Sequence, residues 1–187
     1  MQIENVEAAA DVLRDARRVL VIGCSGGGKT TLSLALADRL ELPYVSMDRE
    51  FFWLPGWVAR GRTEQRQLIA CVVKQESWIM DGTNPSSFDL RLPRTDVVLW
   101  VRIPRLQCIW GVVARWLMWL GRTRPEMTPG CPEHLDLEFL RYIWNFEGDH
   151  APVIIEALAA YEPSMPFLEL KSRRQMRELL DSLGRQA

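Results

Sequence analysis

The sequence predicts a three-layer α/β fold built on a parallel sheet. Three observations lead there. Short apolar runs alternate with helical stretches along the chain, the pattern that successive βαβ units produce. The first of these runs ends in a cluster of glycines that leads into a helix. The third is size: 187 residues, 48% hydrophobic and 25% charged, bury a full core without disulfides or a structural metal. A single domain over 1–187 is expected at that length.

Taken in order, the N-terminal MQIENVEAAADVLRDA has no apolar signal core and reads as an ordinary helix. Residues 17–23 (RRVLVIG) form an apolar run ending at glycine, as a buried parallel strand does. A helix follows over 29–40, with Leu32, Leu36 and Leu40 on one face. Pro43 sets off a second strand at 44–47, and Thr63 caps a helix reaching about residue 75. A third strand, 78–80, ends at Asp81-Gly82, and Ser86 or Ser87 caps a short helix through 92. Pro104 closes a fourth strand, 97–103. Helices fill about 105–120, 135–146 and 152–160. The fifth strand spans 167–170, and Ser172 with Gln175 makes a capping box for the last helix. Two polar insertions bearing Pro and Gly interrupt the alternation, at 48–62 and 121–134; loops of this kind are more often functional than idle.

Composition excludes several classes. The formal net charge is −1, so the basic excess of a nucleic-acid-coating protein is missing and no specific nucleic acid partner is expected. The apolar content rules out intrinsic disorder. Four scattered cysteines with no C-x-x-C pair fit a reducing cytosol, and a cytoplasmic location is expected. Cys131 and His134 have a spacing seen in zinc sites, but His150 is the only other histidine and a structural zinc wants four ligands. The most apolar stretch, 106–120, is interrupted by Arg115 and falls short of the roughly 20 residues that span a membrane.

The strongest chemical signal is Gly23-Cys24-Ser25-Gly26-Gly27-Gly28-Lys29-Thr30, which satisfies G-x-x-x-x-G-K-[ST], the phosphate-cradling P-loop. Its glycines let the backbone curl until successive N–H groups point at one anion, and the next helix adds its positive end. Gly23, Ser25, Gly26, Gly27, Gly28 and Thr31 are therefore assigned to the nucleotide cradle. Lys29 is placed to reach the β- and γ-phosphates, and Thr30 to offer its hydroxyl to Mg²⁺. Lys29 is one of three lysines against twenty arginines, as if chosen for a point charge. ATP and Mg²⁺ are the expected cofactors. No N/T-K-x-D guanine signature occurs, and no apolar strand ends in Asp-Glu as in motor and recombination ATPases. A small phosphotransferase remains, with a slow NTPase or a nucleotide-sensing regulatory module as the alternatives.

These residues resemble those of the adenylate-kinase-like P-loop kinases, and most closely the DNA topology modulation proteins. The matching segments are GCSGGGKTTLSLALADRL, Ser46-Met47-Asp48, FFWLPGW, WIMDGTN with FDLRL, VVLWVRIPR and GRTRPEMTPGCPEHLDLEFLRYIWNF, together about residues 23–146. The P-loop marks only a superfamily, whereas FFWLPGW and GRTRP…LDLEFL are narrower. The resemblance implies the three-layer P-loop NTPase fold of nucleoside-monophosphate kinases. That fold has a five-stranded parallel sheet in the order 2-3-1-4-5, an acceptor-binding region here at about 48–62, and a mobile lid here at about 121–134.

It also implies roles. Asp81 would hold Mg²⁺ through water beside Thr30; the alternative is an Asp that caps a turn. Asp48 would hold the acceptor hydroxyl and take its proton, unless it caps a helix ahead of Phe51-Phe52. Trp53, Pro55, Gly56 and Trp57 form an aromatic knuckle that either stacks on the acceptor or packs the loop onto the body. Arg91, with Arg94 nearby, suits a two-point clamp on an acceptor anion. Arg115, Arg122, Arg124 and Arg141 surround the lid. Relatives bring lid arginines onto the transferring phosphoryl group, so Arg122 and Arg124 are read as catalytic, Arg115 as nucleotide-binding and Arg141 as acceptor-binding. A solvated basic loop is the alternative.

The chain departs from the family pattern twice. Trp110-Gly111 stands where relatives often set an arginine against the base, and Glu147-Gly148-Asp149-His150 replaces a basic stretch. The helix at 105–120 carries two apolar stripes, one with Leu106, Trp110 and Leu117 and one with Val112, Trp116 and Trp119. The second stripe marks either a homodimer surface or a helix wedged between two layers.

Overall fold

The structure, a computed structural model, describes residues 1–161 and 165–184. Its elements are, in chain order, α1 (Val6–Asp15), β1 (Arg18–Gly23), α2 (Lys29–Leu40), β2 (Tyr44–Ser46), β3 (Trp53–Leu54), β4 (Val58–Ala59), α3 (Arg62–Val72), β5 (Trp78–Asp81), α4 (Phe88–Arg91), β6 (Val97–Val101), α5 (Arg105–Met118), α6 (Leu137–Asp149), α7 (Ala151–Ala160), β7 (Phe167–Leu170) and α8 (Arg173–Leu183). A wide helical turn, Asp48–Phe52, follows β2.

Five strands form one parallel sheet in the order β2-β5-β1-β6-β7. Numbered among themselves along the chain, they run 2-3-1-4-5, as the resemblance implied. Continuous apolar runs make this sheet possible. Every residue of β5 and β6 is buried, as are Val19 to Gly23 of β1, which requires cover on both faces. Trp78 and Trp100 are the largest of the fully enclosed side chains. The remaining two strands, β3 and β4, make a small antiparallel hairpin inside the first insertion.

Several expectations need correction. Residues 1–3 are not helical. They run beside β7, with the Ile3 N–H donating to Phe167 O (2.8 Å) and the Phe167 N–H donating to Met1 O (3.0 Å), and so cover the sheet edge. The helix begins only at Val6 because Asn5 caps it, its Oδ1 accepting from the Ala8 N–H at 2.8 Å. Thr63 is not a cap, since α3 starts one residue earlier behind Gly61. Ser87 precedes α4 but spends its hydroxyl on Asn84 O, and Ser86 bonds the Asn84 side chain. The box at the last helix does form. Ser172 Oγ accepts from the Gln175 N–H, while Gln175 Oε1 accepts from Lys171, one residue earlier than the usual partner.

The helix α5 is not wedged between layers. Cys108 and Val112 face inward, while Leu106, Trp110, Leu117 and Met118 are exposed, as is Leu120 beyond its end. On its inner side it crosses the glycine-rich loop after β1 at very short range. A Cβ on Gly111 would lie 2.2 Å from Gly26 O, and one on Gly26 would lie 2.0 Å from Cys108 O, at a backbone φ of +78° that already favours glycine. No described helix is long and apolar enough to cross a membrane.

Gly111→Ala should therefore force α5 off the loop at a cost of about 1–3 kcal/mol, read as a melting temperature lower by roughly 3–10 °C. Gly148, near the end of α6, has open space around its Cβ position. Gly148→Ala should raise the melting temperature by roughly 1–3 °C through helix propensity alone. Thermal denaturation of both variants checks the pair; equal effects would mean the α5 crossing is looser than described.

Candidate active site

All eight residues assigned to the cradle line one cavity of about 910 Å³, at the C-terminal ends of the strands where α/β folds place their ligands. The loop is braced from below. Gly23 donates its N–H to Thr83 Oγ1 (2.6 Å), and the Thr83 hydroxyl donates back to Gly23 O (2.7 Å). Lys29 reaches across the loop to Cys24 O at 3.0 Å.

Asp81 occupies the last position of β5 and is 6% exposed. Its Oδ2 accepts from the Thr30 hydroxyl at 2.6 Å and from Tyr44 at 3.3 Å. Its Oδ1 is shielded from solvent and has no hydrogen-bond partner. This pair fits Mg²⁺, which is typically held by one or two hard protein oxygens together with phosphates and water. Among the described residues no group of three or more His, Cys, Asp or Glu is arranged around a metal. Cys131 and His134 each engage other partners. Cys131 donates to Leu54 O, and His134 packs edge-on against Trp57 at 4.5 Å.

Asp48 sits two residues beyond β2 with its side chain open to the same cavity. It does not cap the turn it begins; Met47 holds that position and no side chain bonds there. Asp48 is exposed within the cavity, yet desolvation by the protein around it, and then the Asp81 carboxylate, hold its carboxyl above the usual range, against the pull of Lys29, Arg124 and Arg115.

Arg115, from α5, and Arg124, from the second insertion, also line the cavity. They share one partner that the sequence did not suggest. Glu133 has a side chain only 4% exposed, and its carboxylate pairs with Arg115 Nε at 3.2 Å and with Arg124 Nε.

The other expected arginines fall elsewhere. Arg122 is exposed and outside the cavity lining; its backbone N–H donates to Trp119 O and its carbonyl accepts from the Glu133 N–H. Arg141 is exposed on α6, also away from the lining. Arg91 cannot clamp an acceptor. It is fully buried, and its donors are spent on Gly82 O (2.8 Å), Asn84 O (2.8 Å) and Ser87 Oγ (3.0 Å), with its guanidinium over the Phe88 ring. Burial pulls it down to about 9. Its task is to satisfy the carbonyls of the loop after β5, which otherwise have no strand to bond.

Trp53 likewise does not reach the cavity. It meets Trp57 edge-on at 5.2 Å, and the knuckle packs the hairpin against the second insertion. Trp57 Nε1 donates to Pro132 O (3.0 Å), Gly56 N–H to Gly130 O (3.1 Å) and Thr128 Oγ1 to Trp53 O (2.9 Å). Ser46 Oγ donates to Glu126 O (3.0 Å), and Met127, Thr128 and Cys131 are buried. The segment expected to swing as a free lid is thus stitched to the acceptor-side hairpin.

Positions 111 and 147 each have a local structural reason. Glycine at 111 is what lets α5 touch the P-loop. Arg173 of α8 lies beside it, 3.2 Å from where a Gly111 Cβ would be, and lines the cavity with Met176 and Arg177. Glu147 is paired with Arg102.

No protein-family model matches the chain, and no curated protein does. Solved structures do. Shikimate kinase from Bacteroides thetaiotaomicron is 21% identical, with 90% of this chain and 96% of that one covered and a TM-score of 0.53. Shikimate kinase from Acinetobacter baumannii, in complex with shikimate, is 13% identical over 93% and 94%, at a TM-score of 0.55. The enzyme from Aquifex aeolicus is 15% identical over 89% and 92%, at 0.53. At these identities the likeness shows the fold, that of the P-loop kinases.

The raised Asp48 has a consequence for stability. The folded chain holds the Asp48 proton more tightly than the unfolded chain does, so stability is lost as pH climbs through the two values. Asn mimics the protonated form. Asp48→Asn should melt higher than the parent at pH 7–8, and the advantage should fade below about pH 4, where the unfolded carboxyl is itself protonated. Melting curves of both proteins across pH 4–8 check this; a pH-independent difference would place the charge elsewhere.

Proposed function

We propose that this protein is a cytoplasmic P-loop kinase that transfers the γ-phosphoryl group of ATP, with Mg²⁺, to a hydroxyl of a small-molecule acceptor. The observation that carries the reading is the hydrogen bond from Thr30 to Asp81, which brings a complete phosphate cradle against a buried carboxylate with one oxygen unspent. Asp48, Arg115 and Arg124 face the same cavity.

The division of labour follows from placement. Backbone N–H groups of the cradle and Lys29 bind the phosphates. Thr30 and Asp81 would hold Mg²⁺, which offsets phosphate charge when bound. Asp48 orients the acceptor hydroxyl and takes its proton as the oxygen bonds to phosphorus and ADP leaves; a carboxyl held above its usual range is the stronger proton acceptor. The free ends of Arg115 and Arg124 meet charge spreading over the transferring oxygens. The stitched lid and hairpin keep water from competing with the acceptor.

The narrower likeness to DNA topology modulation proteins is part of the same proposal. Its support is that the two segments carrying it, FFWLPGW and GRTRPEMTPGCPEHLDLEFL, pack directly on one another through Trp57 and Pro132. The four cysteines, all free, are in keeping with a reducing compartment.

At a hundredfold excess over its Kd, ATP·Mg²⁺ should stabilise the parent by about 2.7 kcal/mol, and Lys29→Ala should abolish that shift. Asp81→Asn should raise the Mg²⁺ requirement and depress all turnover, whereas Asp48→Asn should impair transfer to the acceptor and spare hydrolysis by water. Arg124→Ala should slow turnover roughly 10³-fold with little loss of ATP affinity. Unchanged protection of Lys29→Ala by ATP·Mg²⁺, in a thermal-shift titration, overturns the cradle assignment.

A further inference from the structure

Resting on that kinase reading, we propose that Glu133 sets acceptor specificity: by occupying Arg115 and Arg124 it reserves the acceptor end for an uncharged polyhydroxy compound and turns away carboxylates and phosphates.

The argument begins with where positive charge is free. An acceptor carrying a carboxylate or phosphate needs a cation of its own, usually an arginine fork. Arg91 is enclosed and fully bonded to the loop after β5. Arg49 bonds Pro125 O and lies beside Glu50, and Arg60 bonds Phe51 O and Glu64. Among the described arginines that line the cavity, Arg173 and Arg177 come from α8, which meets Gly28 and Gly111, whereas Arg115 and Arg124 act on Asp48, and one of their two charges is offset by Glu133. Glu133 holds each by its Nε edge. Their terminal nitrogens have no hydrogen-bond partner among the described residues, so they remain available to the transferring phosphoryl group.

What is left on the acceptor side is two carboxylates, neutral side chains and His150, whose ring lies beside Tyr142 at 5.3 Å. Asp48 and Glu126 line it, and Glu126 has no ion-pair partner among the described residues. An anionic acceptor would meet these carboxylates and would have to compete with the transferring phosphoryl group for the terminal nitrogens of Arg115 and Arg124. Asn84, Phe52 and Tyr142 complete the wall. An amide and aromatic faces beside carboxylates suit the hydroxyls and C–H faces of a polyol. Shikimate, itself a carboxylate, belongs to the class this arrangement excludes.

The test uses matched compounds of one carbon skeleton, a sugar alcohol against its sugar acid, together with a nucleoside against its 5′-monophosphate. Binding is read as a thermal shift of the full chain saturated with a non-hydrolysable ATP analogue and Mg²⁺. The parent should bind each anionic member at least about tenfold more weakly than its neutral partner, and Glu133→Gln should give the anionic members about a tenfold gain. Glu133→Asp, which keeps the charge, should restore the parent's ranking. Glu126→Gln removes an unpaired, half-buried carboxylate and so serves where Glu133→Gln fails to fold; it should raise anion binding several-fold. Preference for the anionic members in the parent overturns the proposal, as does a ranking that neither Gln substitution moves. Failure of the analogue to stabilise the parent would instead overturn the kinase reading.

Discussion

At the carboxyl edge of the sheet, strand register decides where every group in the site can be. Asp81 stands opposite Val21 on β1 and opposite Ser46 on β2. The chain leaves β1 two residues later into the glycine loop, and leaves β2 two residues later at Asp48. Three parallel strands ending together thus deliver a cradle, a buried carboxylate and a cavity-facing acid to one opening without any loop having to find them. A slip of one residue in β5 would turn Asp81 to the opposite face and separate it from Thr30. The Thr30–Asp81 hydrogen bond, at 2.6 Å, is the point where that register becomes chemistry.

The second insertion obeys a different constraint. It has almost no regular structure, so its backbone groups must find partners outside a ladder. They find them in the hairpin of the first insertion and in Ser46, while the buried Glu133 ties its end back to α5 through Arg115. Any opening of the cavity from this side must either break those bonds together or carry the hairpin along. The knuckle of tryptophans serves that coupling, which is why it faces the insertion and leaves the acceptor to other side chains.

How much of this was legible in the sequence depends on the distance over which each feature is encoded. The cradle was readable because its members are contiguous and its chemistry demands glycine, lysine and threonine in order. The bounds of α2 and β7 were readable for a similar reason, since the P-loop starts one and flanking residues delimit the other. Asp81 was readable from its place at the end of an apolar run. Arg91 misled because its motif resembles an anion clamp, and only the fold reveals that loop carbonyls consume its donors. Glu133 carried no local signal at all. Its partners lie nine and eighteen positions away, across a segment without periodicity, and their meeting is set by packing alone.

That meeting gives arginine a reason at two positions, 115 and 124. An ammonium is a point charge, which suits the role proposed for Lys29 of meeting phosphates from one position. The opposite wall has another problem: a positive group must be held rigidly and still be offered to substrate. A guanidinium solves it because its Nε edge and its terminal nitrogens point in different directions. Glu133 grips the first edge of Arg115 and of Arg124 and leaves the second uncovered. Removing water from a lone charge here would be costly, and a buried carboxylate shared between two arginines offsets that cost while holding their orientation. A lysine in either place would spend its one ammonium on Glu133, whereas an arginine keeps its terminal nitrogens for the phosphoryl group in the proposed reaction.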